Sequence, residues 1–272
     1  MNRARRVTAF TGRMALALVM SGCASALSAP RDLGSIVPER PDLENVPVDE
    51  LARRAEVEFA QRTVTSVREA ADLWTRIAVR QPTGIEALQS AVRARIWLSE
   101  TVEDPAGRSR EAVDAVRTAQ SCDIRSPGSP TCAYWLGAAL GVQARENRST
   151  ALDALKRMES LFRQAAEEAP LVAAGGPDRA LGSLYARAPA WPAGQGDPDR
   201  AVNHALRAVT LAPEHPPNYL VAAEALRVAG DRGRAITYLD QGLAVARRRH
   251  DAGDPDAPRW IREMETERLK YQ

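Results

Sequence analysis

Residues 197–247 read DPDRAVNHALRAVTLAPEHPPNYLVAAEALRVAGDRGRAITYLDQGLAVAR. Within this stretch Ala201, Ala205, Ala208 and Pro213 are answered 34 residues later by Ala235, Leu239, Gly242 and Arg247. Tyr219, Ala222, Ala223 and Leu226 lie between the two sets at helical spacing. Apolar residues in steps of three and four mark one face of a helix. A fixed period of this length marks a helical hairpin used repeatedly. Small residues let the two helices of a hairpin approach, and larger ones fill the groove against the next hairpin. The expected fold is therefore all-α, a solenoid of stacked helical hairpins.

Working outward, the second-helix pattern returns at Ala70, Trp74, Ile77 and Pro82, and again at Met158, Phe162, Ala165 and Pro170. Ala112, Val116 and Ala119 form a weaker copy. Leu181-Gly182 with Tyr185 reproduces the Leu-Gly-x-x-Tyr signature of the first helix of a tetratricopeptide unit. The following helix starts late because Pro189-Ala-Trp-Pro-Ala-Gly-Gln195 is inserted in the turn. The pattern resembles a degenerate tetratricopeptide array of about four or five hairpins over residues 49–272. Asp197-Pro198, Gly176-Pro177 and Asp231 are placed as helix starts. The last stretch, with Trp260, Ile261, Met264 and Leu269 among dense charge, is expected to be a terminal capping helix, apolar inward.

The beginning of the chain carries different information. Residues 1–22 hold Arg3, Arg5, Arg6 and Arg13, no acidic residue, and the apolar run Met14-Ala-Leu-Ala-Leu-Val-Met20. A basic segment, a short apolar run and small residues are the marks of a secretory signal. Ser21-Gly22-Cys23 then resembles a bacterial lipobox, with Met20 where Leu is usual. That resemblance implies acylation of Cys23 as the mature N-terminus; the alternative is a plain signal peptide with a coincidental cysteine. Ala24 and Ser25 stand where an inner-membrane retention Asp would be. By resemblance to lipoprotein sorting, this implies lipid anchoring at the periplasmic face of the outer membrane. Residues 23–48, with Pro30, Pro38, Pro41 and Pro47 and no hydrophobic period, are expected to form a flexible, extended tether behind the lipidated cysteine.

The whole sequence has 37 basic and 35 acidic side chains. Removing the signal takes away four arginines and no acid, which reverses the sign of the small net charge. No basic stripe with interleaved aromatics remains, which argues against nucleic acid as a partner. Cys122 and Cys132 bracket Asp-Ile-Arg-Ser-Pro-Gly-Ser-Pro-Thr, a short loop suited to a disulfide in an oxidising compartment. The alternative is two separately buried thiols, and no neighbouring His or Cys completes a zinc site.

Two blocks carry a narrower resemblance. The segment Gly175-Gly-Pro-Asp-Arg-Ala-Leu-Gly-Ser-Leu-Tyr-Ala-Arg-Ala-Pro-Ala-Trp-Pro-Ala-Gly-Gln-Gly-Asp197 and the segment Ala133-Tyr-Trp-Leu-Gly-Ala-Ala-Leu-Gly141 resemble the T-component family of TRAP transporters. The likeness spans about residues 55–246. It implies a periplasm-facing lipoprotein that associates with a periplasmic solute-binding protein and carries a cavity through its helical stack, in some members within a homotrimer. The alternative function is a scaffold lipoprotein that binds proteins or peptides during envelope or secretion-system assembly.

The sequence offers no catalytic constellation: no Gly-x-Ser-x-Gly, P-loop, HExxH or dinucleotide fingerprint. The expectation is a protein that is not an enzyme and needs no cofactor or metal. His204, His215 and His250 are far apart and lack metal-ligand spacing. Gly194-Gln-Gly196-Asp-Pro-Asp199 is too short for an EF-hand loop and reads as a turn ending in a cap. Glu167-Glu168 and Glu263, Glu265 and Glu267 read as solvated faces.

The candidate binding residues are Tyr134, Trp135, Arg179, Tyr185 and Trp191. Tyr134, Trp135 and Tyr185 lie on first helices, which line the concave face of such solenoids. For Trp135, Tyr185 and Tyr219 the other reading is packing between repeats. Arg179 is suited to an anionic group, and Trp191 lies between two prolines of the inserted turn. If Cys23 is acylated, metabolic labelling with a radioactive fatty acid will mark the intact chain and leave a Cys23→Ser variant unlabelled; equal labelling of both would remove the anchor.

Overall fold

The computed structural model describes residues 32–147, 151–190 and 192–271, with the backbone alone for residues 151–153. Cys23, the signal segment and Trp191 lie outside the described residues. Eleven α-helices follow one another, and no strand is present among the described residues. They are α1 (Val48–Ala60), α2 (Val64–Arg80), α3 (Glu86–Thr101), α4 (Pro105–Arg125), α5 (Pro130–Glu146), α6 (Ala151–Glu168), α7 (Gly176–Arg187), α8 (Pro198–Leu211), α9 (Pro216–Val228), α10 (Arg232–Asp251) and α11 (Ala257–Leu269). Consecutive helices pair into five hairpins, and α11 packs on the last of them against α9 and α10. The first helices of successive hairpins also meet, α3 with α5, α5 with α7 and α7 with α9, so they share the inner wall.

Helix starts follow from short polar side chains that satisfy otherwise unpaired backbone N–H groups. Asp197 accepts from Asp199 and Arg200 N–H with Pro198 opening α8, Asp104 does the same for α4 ahead of Pro105, and Asp231 caps α10. The turn between α1 and α2 has neither Pro nor Gly and is made instead by Arg62, at φ 53°.

The predicted repeat positions lie buried between helices. Ala70, Ala201, Ala205, Ala208, Ala235 and Leu239 are fully buried. A Cβ on Gly182 would stand 3.1 Å from Cβ of Ala205, and one on Gly137 would meet Phe162 at 2.6 Å. Cys122 and Cys132, with Cα atoms 5.5 Å apart, are joined by a disulfide that ties α4 to α5. On α11, Trp260 and Met264 turn inward, whereas Leu269, expected inward, is exposed.

From Asp32 onward the segment differs from the extended tether expected up to residue 48. Two short 3-10 turns, Leu33–Ile36 and Pro41–Leu43, lie against the body. Leu33 packs beside the disulfide with Ala78 and Leu88, and Leu43 enters the core of the first helices. Arg80 donates to the carbonyls of Val46 and Glu44 at 2.8 and 2.7 Å, and Arg76 to that of Pro38 at 2.6 Å. Two leucines and a row of arginine-to-carbonyl bonds are enough to fasten a segment with no hydrophobic period of its own.

Gly242 tests the close-approach rule. A Cβ there would lie 2.6 Å from Cβ of Tyr219 and 2.9 Å from the Met264 methyl. Overpacking of this kind costs about 1–3 kcal/mol, so Gly242→Ala should lower the urea midpoint by a corresponding amount; an unchanged midpoint would show that the α9, α10 and α11 crossing has slack.

Candidate functional site

The inner wall borders a central, partly open cavity of about 930 Å³. Its sides come from α3, α5, α7, α9 and α11, which stand side by side on the inner face. Two further hollows share walls with it. One is bounded by α1, the turn after it and the α10–α11 loop, and the other lies between α7, α9 and α11.

The rim of the cavity is bridged by contacts between the two ends of the described chain. Asp256, in the loop before α11, accepts from Arg62 Nε at 3.0 Å and from Trp97 Nε1 at 3.2 Å. Arg259 reaches Glu100 at 3.3 Å, and Glu100 also receives Arg145 at 3.4 Å. Arg62 is 3.9 Å and Arg93 4.3 Å from the centroid of the Phe59 ring. The first hairpin, α3 and the cap are thus held together across 194 and 159 residues of chain.

Tyr134, Trp135 and Arg179 come together on this wall. Tyr134 and Trp135 meet edge to face at 4.9 Å. Burial raises the Tyr134 phenol above its ordinary range, so it stays a neutral donor. Arg179 Nη1 donates to Asn218 Oδ1 at 2.8 Å and to the carbonyls of Ala173 and Ala174 at 3.2 and 3.1 Å. Those alanines have φ of 48° and 54°, left-handed values that cost an L-residue about 1–2 kcal/mol each. Arg179 and Asn218 hold this strained turn by collecting its carbonyls. Among the described residues, no carboxylate stands within 4.0 Å of Arg179.

Tyr185 does not belong to the cavity. It is 1% exposed and packs between α7 and its neighbours on the far side. Its hydroxyl donates to Glu159 at 2.7 Å, and the Arg200 guanidinium lies 3.9 Å from its ring centroid. The Leu-Gly-x-x-Tyr position directs this tyrosine into the hairpin, away from the concave face. Tyr219 is likewise buried, against α10 and α11.

Other wall residues were not among the candidates. Trp97 and Trp260 line the cavity, as does His215, whose imidazole burial pushes down to about 3, helped by the charges of Arg179 and Arg249. Glu263, read as solvated, is exposed at the cavity's edge, where partial burial raises its carboxyl above the usual range. Glu267, read the same way, is buried and paired with Arg227 at 3.3 Å. His204 donates to or accepts from the fully buried Asp178 at 2.8 Å, away from the cavity. A terminal helix patterned with charge gave no sign that one of its acids, Glu267, turns inward, while Glu263 and Glu265 stay exposed as expected.

The chain resembles the thermophilic TPR protein TTC0263 of Thermus thermophilus, with a TM-score of 0.55, 19% identity, and coverage of 80% of this chain and 99% of that one. The fold is a tetratricopeptide-like solenoid. Two structures of MamA match more loosely, with a TM-score of 0.43 in each case and 15% and 16% identity, covering 75% and 72% of this chain and 94% and 97% of theirs. No family model matches the chain, and no curated protein does.

Closure by Asp256 has a measurable worth. Removing one partner of a mostly buried ion pair costs about 3 kcal/mol, and Asp256→Ala also strands the Trp97 N–H. We expect a loss of about that size in urea unfolding, with faster hydrogen exchange in α11 and at the end of α1. Asp256→Asn, which keeps an acceptor, should lose less. Unchanged exchange in both regions would show that the two ends are held by other contacts.

Proposed function

We propose that this chain is a non-catalytic lipoprotein, anchored through Cys23 at the periplasmic face of the outer membrane. In this reading it serves a TRAP-type solute uptake system, docking a periplasmic solute-binding protein and holding a small ligand. The observation that carries it is the inner wall, bridged at its rim, around a partly open cavity of about 930 Å³. That volume lies in the range of small-molecule sites, and the walls mix aromatic and aliphatic side chains with many charged ones. The two sequence blocks that resemble T-components supply Tyr134 and Trp135 on one wall and Arg179 on the next, so the resemblance and the cavity meet in the same residues.

A scaffold for extended or helical peptides needs an open concave groove. Here Arg62, Trp97, Asp256, Glu100 and Arg259 bridge the rim of that groove. The helical-repeat fold supports a protein partner, and the bridged rim favours docking on an outer or rim surface over a segment running the length of the groove.

The test is crosslinking of the tagged lipoprotein in living cells, followed by mass spectrometry of what is covalently attached. A periplasmic solute-binding protein attached through residues of this chain supports the transport role. Attachment to assembly or secretion components alone would discard that role and restore the scaffold.

A further inference from the structure

We propose that one edge of the stack, formed by the α2–α3, α4–α5 and α6–α7 loops, is a membrane-contact surface that rests among the lipid headgroups. The inference rests on the reading of Cys23 as a lipid anchor and adds which face of the helical body meets the bilayer.

Short loops make consecutive helices antiparallel, so every second loop lies at the same edge. Side-chain contacts join these loops directly. Arg125, at the end of α4, donates to the carbonyl of Ala78, near the end of α2, at 2.8 Å. Gln164, on α6, donates to the carbonyl of Gly128 in the α4–α5 loop at 2.9 Å. Along this edge stand Val79, Ile124 and Leu171, which are 43%, 59% and 64% exposed. A single apolar side chain in water needs no explanation. One at each of three successive hairpin ends makes a row. Val57, Val228 and Leu269 are exposed as well, but they lie towards the far ends of α1, α9 and α11, at the opposite edge.

What assigns lipid to the first row is where the chain enters the body. Leu33 packs at this same edge, against Ala78, Leu88 and the disulfide of Cys122 and Cys132. Ten residue steps lead from Cys23 to Leu33, a reach of at most about 35 Å. The 17 residues of α2 alone extend about 26 Å. A bilayer against the near edge leaves the connection slack, whereas one against the opposite edge draws it nearly taut. The anchor therefore keeps Val79 and Ile124 at high effective concentration beside the lipid, where a modest apolar gain is sufficient.

Charge does not drive this contact. Arg80 and Arg125 spend donors on backbone carbonyls, and Asp123, Glu167 and Glu168 stand on the same helix ends. An edge of mixed sign with protruding aliphatic side chains is held by apolar burial in the headgroup layer. Such a contact survives salt, which a basic patch on anionic lipid does not.

The test uses the full acylated chain in vesicles of phosphatidylethanolamine and phosphatidylglycerol. A trace of the phospholipid carries a photoreactive diazirine near the top of one acyl chain. After illumination, lipid-modified peptides are quantified by mass spectrometry. Peptides covering residues 79–85, 124–129 and 169–175 should carry at least about fivefold more lipid than those with Val228 and Leu269, at low and at high salt alike. Moving a large aliphatic side chain out of water is worth about tenfold. Ile124→Glu combined with Leu171→Glu should accordingly lower labelling of this edge by about tenfold or more. The urea midpoint should stay in place, because both side chains are exposed. Leu269→Glu, at an equally exposed position of the other edge, should leave the labelling pattern unchanged.

Lipid spread evenly over both edges, lipid on residues before Asp32 alone, or a pattern indifferent to the double substitution would each overturn the proposal. A lipid-free edge accompanied by self-association in sedimentation would assign the row to a second copy of the chain and overturn it too. The two readings fail separately. A fatty-acid label on Cys23 with no lipid at this edge overturns this inference and keeps the anchor. Absence of that label overturns the anchor, and the membrane contact with it.

Discussion

The architecture depends on how closely neighbouring helices approach. At four crossings one side contributes a glycine and the other a backbone or a large side chain: Gly182 on Ala205, Gly137 under Phe162, Gly242 under Tyr219 and Met264, and Gly176 under Tyr134. A larger side chain at any of these points would push two helices apart and alter the angle between hairpins. Because the same small-residue crossing recurs from hairpin to hairpin, the tilt it sets accumulates along the stack. The accumulated tilt brings α11 within reach of α3 and the end of α1.

The site is a product of that tilt rather than of any one segment. Asp256 sits in a loop and Arg62 in a turn, and neither has a role until the coil closes. Once it does, a surface that would have been an open groove becomes a partly enclosed space with fixed charges at its rim. The interior chemistry then differs from a solvated groove, because each charge facing it has lost part of its water. The low pKa of His215 and the raised carboxyl of Glu263 are two expressions of this loss.

What could be read in the sequence was whatever depends on local spacing. The 34-residue return of Ala201, Ala205 and Ala208, the caps Asp197 and Asp231, and the short loop between Cys122 and Cys132 are all set within a turn or a hairpin. The cavity is not local. Trp97 and Asp256 are 159 residues apart, and no periodicity connects them. Tyr185 and Tyr134 both sit on first helices, yet one faces the hairpin and the other the cavity; the difference lies in rotation about the helix, which a degenerate repeat leaves open. The fastening of residues 32–47 was equally hidden, since it uses two isolated leucines and backbone carbonyls that accept from arginines of α2.

In a linear solenoid each repeat answers only to its neighbours, and unfolding frays inward from the two free ends. The bonds from Asp256 and Glu100 make the first and last units of this chain neighbours too. The sequence of couplings becomes cyclic, so the terminal units lose the status of ends. Removing either one breaks two interfaces instead of one, which binds the whole stack into a single cooperative unit.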